Sequence, residues 1–116
     1  MWLLVAPLVI GVVLSMAGFL SARDKLPRNT WVGIRMQVTL VNDKTWFAAH
    51  RAAAPWLSGG GYVELAAALL VIGARFAGWV TPGTARFAAA MLVFAGFVPF
   101  TIAAIKGQAA ARRALE

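Results

Sequence analysis

Three apolar runs, residues 2–20, 56–74 and 87–105, constrain this chain more than any other feature. Each spans 19 residues, close to the ~20 that a helix needs to cross about 30 Å of hydrocarbon. Together they fill half of a chain of 116 residues. A helix bonds its own backbone, which suits it to a medium without water. The expected fold is an all-α integral membrane protein, one membrane domain over residues 1–116, with the bilayer as its solvent. Composition agrees, with 61% hydrophobic and 13% charged residues, against ~45–50% and ~25% in soluble domains. With no cysteine, disulfides and thiolate metal sites are excluded.

The net charge of +7 would suit nucleic acid, but the placement of the charges argues against that partner. Nine of the eleven Lys and Arg residues lie in the stretch 21–55 or in the tail after residue 105. Only Arg75 and Arg86 flank the short connection 76–84. With three spans, the first loop and the C-terminus share a side. The Lys/Arg bias puts that side in the cytoplasm and the N-terminus outside. No Lys or Arg precedes Arg23, so residues 2–20 lack the basic n-region of a cleaved signal peptide and read as a retained anchor.

The spans differ in character. In the first, Gly11 and Ser15 form a small-xxx-small pair suited to close helix approach, although small residues are common throughout the chain. In the second, seven aliphatic side chains favour insertion by roughly 2–4 kcal/mol in sum. Glu64 opposes it by about 2.5–3.5 kcal/mol. Gly59, Gly60 and Gly61 weaken the helix start further, so this span is expected to rely on the other two. In the third, Pro99 removes the N–H that would bond Ala95, which predicts a kink near residues 96–99 with Thr101 serving the freed backbone. Residues 76–84, with Trp79, Pro82 and Gly83, read as a tight external hairpin.

The first loop, residues 21–55, is far longer than two antiparallel helices require. It is also too apolar for a disordered linker, holding Trp31, Val32, Ile34, Val38, Leu40, Trp46 and Phe47. Asn42-Asp43 followed by residues 44–54 predicts a short helix that ends at Pro55. Trp46, Phe47 and His50 share one side of it, with Lys44 and Arg51 adjacent. That pattern fits a short interfacial helix in the cytoplasmic loop, with aromatics toward lipid and bases toward phosphates.

The run Lys25-Leu26-Pro27-Arg28-Asn29-Thr30-Trp31-Val32-Gly33-Ile34-Arg35 is followed by Thr39-Leu40, Trp46 and His50-Arg51. This pattern resembles the SdpI family, named for a bacillar membrane protein that gives immunity to a secreted killing toxin. The family pattern is an Asn, a Gly-Ile/Leu-Arg, a Thr-Leu/Met, a Trp thirteen residues after the Gly, and a His-Arg pair. The flanking spans are similar to the family's C-terminal three-helix unit. There are departures: Met36-Gln37 stand where the family often has Thr-Pro. Val41-Asn42-Asp43-Lys44 replaces Ser-Asn-Glu-Glu, which breaks the usual capping box and leaves Asn42 to cap alone. The resemblance implies a bacterial cytoplasmic membrane protein in a short, three-span form.

The expected binding residues are Asn29, Gly33, Arg35, Trp46, His50, Arg51 and Glu64. The Arg35 guanidinium suits bidentate grip on a carboxylate or phosphate; otherwise it is one more cytoplasmic positive charge. His50, with no cysteine to complete a metal site, suits polar packing or a lipid contact better than proton transfer. Arg51 suits lipid phosphate, a toxin carboxylate or Glu64, and Trp46 suits an interface anchor. Glu64, eight residues into its span, is expected either to pair with Arg35 or Arg51 or to snorkel to the headgroups. No paired carboxylates, activated nucleophile, phosphate loop or HExxH motif is present, so neither catalysis nor a cofactor is expected.

Three functions follow. The first is an interaction protein that neutralises a membrane-active toxin or tethers a regulator through the basic loop. The second is an accessory subunit of a larger membrane complex, presenting Gly11, residues 66–68 and Gly96. The third is an oligomeric transporter of an anionic lipid or solute, with Arg35 and Glu64 at the site. The bilayer is a partner in all three, and homo-oligomers are compatible with each.

Overall fold

The computed structural model describes residues 2–29 and 33–116. A single 3-10 turn, Trp2–Leu4, leads into helix α1 (Val5–Ala22). Helices α2 (Asp43–Phe76), α3 (Pro82–Ala95) and α4 (Phe97–Ala114) follow. There is no strand among the described residues. Helix α2, Val5–Ala22 and the continuous limb Pro82–Ala114 are each long and apolar enough to cross a membrane. Large apolar side chains cover the outside, with Leu70 74% and Phe87 69% exposed. Such a coat is unfavourable in water and natural in lipid, and the chain is a membrane protein.

Helix α2 is the central rod. Its 34 residues reach about 51 Å at 1.5 Å per residue, most of the molecule's 56 Å length. It packs along α1 on one side and α4 on another. The three consecutive glycines of α2 serve these contacts separately. A Cβ on Gly61 would collide with Ser15 and lie 2.8 Å from the carbonyl of Gly11. A Cβ on Gly60 would strike the ring of Pro99 on α4. Gly59 faces open space. Further along the α1 contact, a Cβ on Gly18 would lie 2.5 Å from the backbone nitrogen of Ser58. The small residues Gly11, Ser15 and Gly18 thus let α1 and α2 approach within backbone contact, where dispersion replaces the missing hydrophobic drive.

One expectation about segment boundaries is corrected and another is met. The stretch 44–54 is not a separate short interfacial helix, because it forms the first turns of α2, which continues through Pro55. Proline removes one helical donor. The turns before it are held in line by neighbours, with Ala49 against Gly107 of α4 and Trp46 against the loop. The third span breaks at Gly96, between α3 and α4, within the expected kink region. Thr101 bonds the carbonyl of Phe97 at 2.7 Å rather than that of Ala95.

The connection between α2 and α3 is short. Gly78 takes φ +77, Thr81 caps α3 and Pro82 opens it. Trp79, at this turn, is 82% exposed. Gly18 meets Ser58 and Gly107 meets Ala49, so both neighbours run antiparallel to α2. The loop between α1 and α2 and the C-terminal end of α4 therefore lie at the same end of the bundle. The core spans all three rods, from Leu14 through Ala53 and Leu57 to Ala103 and Ala104, and it takes in Ile34 from the loop.

Candidate functional site: the loop cap

The loop between α1 and α2 folds back on the first turns of α2 as a compact cap. Its entry is set at the end of α1. Asp24 takes the left-handed conformation at φ 54, and the Lys25 N–H donates to the Leu20 carbonyl at 2.8 Å. This closes the helix as a Schellman-type turn does, with Asp in place of Gly. Leu26 then turns inward, and its carbonyl accepts the Trp46 indole N–H at 2.7 Å. Trp46 is 0% exposed. A buried indole needs such an acceptor, and its place is inside the protein. The expectation of an interface anchor is thereby corrected.

His50 is the second fastener, one turn on from Trp46. The rings lie 4.1 Å apart between centroids, tilted by 31°. The Ile34 N–H donates to His50 Nε2 at 3.0 Å. An acceptor at Nε2 in a neutral imidazole leaves the proton on Nδ1. That nitrogen is 2.7 Å from the Trp46 carbonyl and donates to it. Both ring nitrogens are therefore occupied in joining loop to helix. His50 lies in the extension of α2 that precedes the apolar stretch 56–74. Burial pushes its pKa below the ordinary histidine value, opposed by the bond to the Trp46 carbonyl.

Gly33 makes the contact possible. Its φ is +117, and a Cβ there would lie 2.7 Å from His50 Nε2 and 3.0 Å from Trp46 Cη2. Only glycine combines that conformation with that closeness. Ile34 follows with its side chain in the core, and its carbonyl accepts the Thr39 hydroxyl at 2.6 Å. The Met36 N–H donates to the same hydroxyl oxygen at 2.8 Å, and the Leu40 N–H closes a turn on the Met36 carbonyl at 3.0 Å. Asn42 then starts α2. Its side chain accepts from the Thr45 N–H at 2.9 Å, and the Thr45 hydroxyl accepts from the Asn42 N–H at 3.1 Å. A capping box is present after all, completed by Thr45 in place of an acidic residue.

The charged side chains lie outside this framework. Arg23, Lys25, Arg28, Arg35, Lys44 and Arg51 are all exposed. Arg28 reaches Asp43 at 3.5 Å and Arg51 reaches Asp24 at 3.1 Å. Such exposed pairs contribute about 0–1 kcal/mol each. Arg23 stacks 3.8 Å above the Phe19 ring at the end of α1.

The expected site residues thus divide into three groups. Gly33, Trp46 and His50 come together as internal fasteners. Asn29 sits nearby, its amide donating to the Pro27 carbonyl at 2.7 Å, and Arg35 and Arg51 stand on the outer surface. Glu64 is apart, within the membrane-spanning part of α2. The expected pairing of Arg51 with Glu64 is not formed, since Arg51 holds Asp24. Glu64 is 4% exposed, and its Oε1 accepts no hydrogen bond among the described residues. It does not snorkel. The motif residues Thr30, Trp31 and Val32 lie outside the described residues.

Sequence reasoning missed Leu26, Ile34 and Thr45 as parts of the cap. The Asn-x-x-Thr spacing at 42–45 was the available signal for Thr45. Of the residues expected as a surface for a larger complex, Gly11, Ala68 and Gly96 are buried within the chain itself, Ala67 is half-buried and Ala66 is exposed.

A family model described as the SdpI/YfhL protein family matches residues 25–110. The matched stretch begins at the cap and takes in α2, α3 and most of α4. No curated protein and no solved structure matches the chain.

Proposed function

This chain belongs to the SdpI/YfhL family, and from that premise we propose that it is a membrane interaction protein whose folded basic cap meets a partner. The partner is a membrane-active toxin that the chain neutralises, or a regulator that it tethers. The observation that carries this reading is the division of labour in the cap. Gly33, Trp46 and His50 hold the loop from inside, while Arg28, Arg35 and Arg51 lie on its exposed surface, Arg28 and Arg51 with Asp43 and Asp24 beside them. A surface ordered before its partner arrives loses less entropy on binding. Arginine suits carboxylate or phosphate on the other side.

In this reading the cap lies on the cytoplasmic side of a bacterial membrane, where the Lys/Arg bias puts it. The first turns of α2 sit at headgroup depth. A rod of about 51 Å exceeds ~30 Å of hydrocarbon by several turns, and the polar turns at its start are the part that projects.

The test is protection. A bacterium sensitive to a secreted membrane-permeabilising toxin is given this chain or its Arg35→Ala variant. The expected result is survival with the first and loss of protection with the second, at equal amounts in the membrane. Full protection by Arg35→Ala would remove Arg35 from the contact.

A further inference from the structure

A groove of about 660 Å³ lies between α2 and the α3–α4 limb. Trp56, Gly59 and Val63 form one wall, Leu92, Val98 and Pro99 the other, and Glu64 is its acidic group. The volume is in the range of small-molecule sites. Glu64 lies eight residues beyond Trp56, about 12 Å along the helix, so in the proposed orientation the groove runs from headgroup depth at Trp56 into the hydrocarbon at Glu64.

Two independent observations mark this groove as more than a packing gap. Glu64 is 4% exposed and its Oε1 has no partner among the described residues. A carboxyl group so placed is costly in hydrocarbon unless something completes it. The second is Gly59. Gly60 and Gly61 are required by Pro99 and by α1, whereas a Cβ on Gly59 would meet nothing within 4 Å. Glycine inside a helix costs about 1 kcal/mol relative to alanine, and at Gly59 no helix contact compensates. What the missing side chain leaves is room in the groove.

We propose that this groove is a binding site for an amine-bearing amphiphile that enters from the bilayer. Its apolar body lies along Val63, Leu92 and Val98, and its ammonium group meets the Glu64 carboxylate. Charge complementarity selects the class: an ammonium both neutralises the acid and donates to its open oxygen, whereas an alcohol only donates. The site is separate from the cap and does not rest on the toxin or tethering reading.

The test uses the whole chain in zwitterionic liposomes, with dodecylamine as probe and dodecanol as its uncharged counterpart. Dicyclohexylcarbodiimide reports on the site. The carboxyl oxygen bonds to the central carbon and its proton passes to nitrogen. The adduct rearranges to an N-acylurea without a leaving group, so mass spectrometry finds the full reagent mass on Glu64. Capture of the adduct by a deprotonated dodecylamine in the groove would instead form an amide and release dicyclohexylurea, and a dodecylamide on Glu64 counts as bound amine. Glu64 is expected to be labelled, and dodecylamine to slow labelling about tenfold while dodecanol has little effect. Native mass spectrometry is expected to show bound dodecylamine on the wild type and little on Glu64→Gln or Gly59→Leu. A Cβ at Gly59 meets nothing within 4 Å, so Gly59→Leu starts from open space, and detergent stability equal to that of the wild type separates a blocked site from a misfolded chain. Three results would each overturn the proposal: no labelling of the wild type, equal protection by dodecanol, or dodecylamine retained by both variants.

Discussion

His50 shows how one side chain can close a loop. It accepts from Ile34 and donates to Trp46, a pairing available only to the neutral ring. A protonated ring would point a second donor at the Ile34 N–H. Its folded pKa is lowered, so the unfolded form takes up the proton first. The stability it contributes is fully present above about pH 6.5, the unfolded value. That stability falls as pH drops below this value, and levels off below the folded pKa. Protection of the Ile34 amide against hydrogen exchange, taken relative to the intrinsic rate at each pH, should therefore fall on mild acidification, and His50→Ala should show low protection at every pH. Gly33→Ala should loosen the cap as well, because the added methyl meets His50 at a φ that alanine resists. Trp46→Ala should cost about 3–5 kcal/mol, as large aromatic deletions do, measured as the loss in thermal midpoint in detergent. The motif residues were legible in the sequence as a cluster, but their roles were not. Spacing along a chain shows which residues recur together; whether a ring faces a backbone amide or a ligand depends on how the loop folds back.

At the scale of the element, apolar length picked out all three helices long and apolar enough to cross a membrane, because the hydrocarbon thickness sets that length directly. The continuity of α2 was hidden. Pro55 carries a strong local signal for a helix end, and the packing that overrides it comes from α4 and the loop, remote in sequence. The glycine triplet is similar: locally it reads as a weak helix start, and in the bundle each glycine has its own surroundings. Alanine at Gly59 should therefore be neutral or stabilising by about 0.5–1 kcal/mol, whereas valine at Gly60 or Gly61 should separate the helices. Resistance to unfolding in detergent, compared across the three positions, checks this.

For the whole molecule, the basic cap and the tail bearing Arg112 and Arg113 share one end, with the Trp79 turn at the other. The proposed orientation is directly testable, because the native chain holds no cysteine. Gln37→Cys should react with an impermeant maleimide only after the cytoplasmic face is opened, and Thr84→Cys should react in intact cells. The reverse pattern would invert the topology.

The unbroken run of α2 from the Asn42 cap to Phe76 has a mechanical meaning. Its first turns are fastened to the loop by an indole and an imidazole, and α1 and α4 flank it. If the proposed partner pulls on the arginine-bearing cap, the load passes along this one helix and its two neighbours instead of being absorbed at a hinge near Pro55.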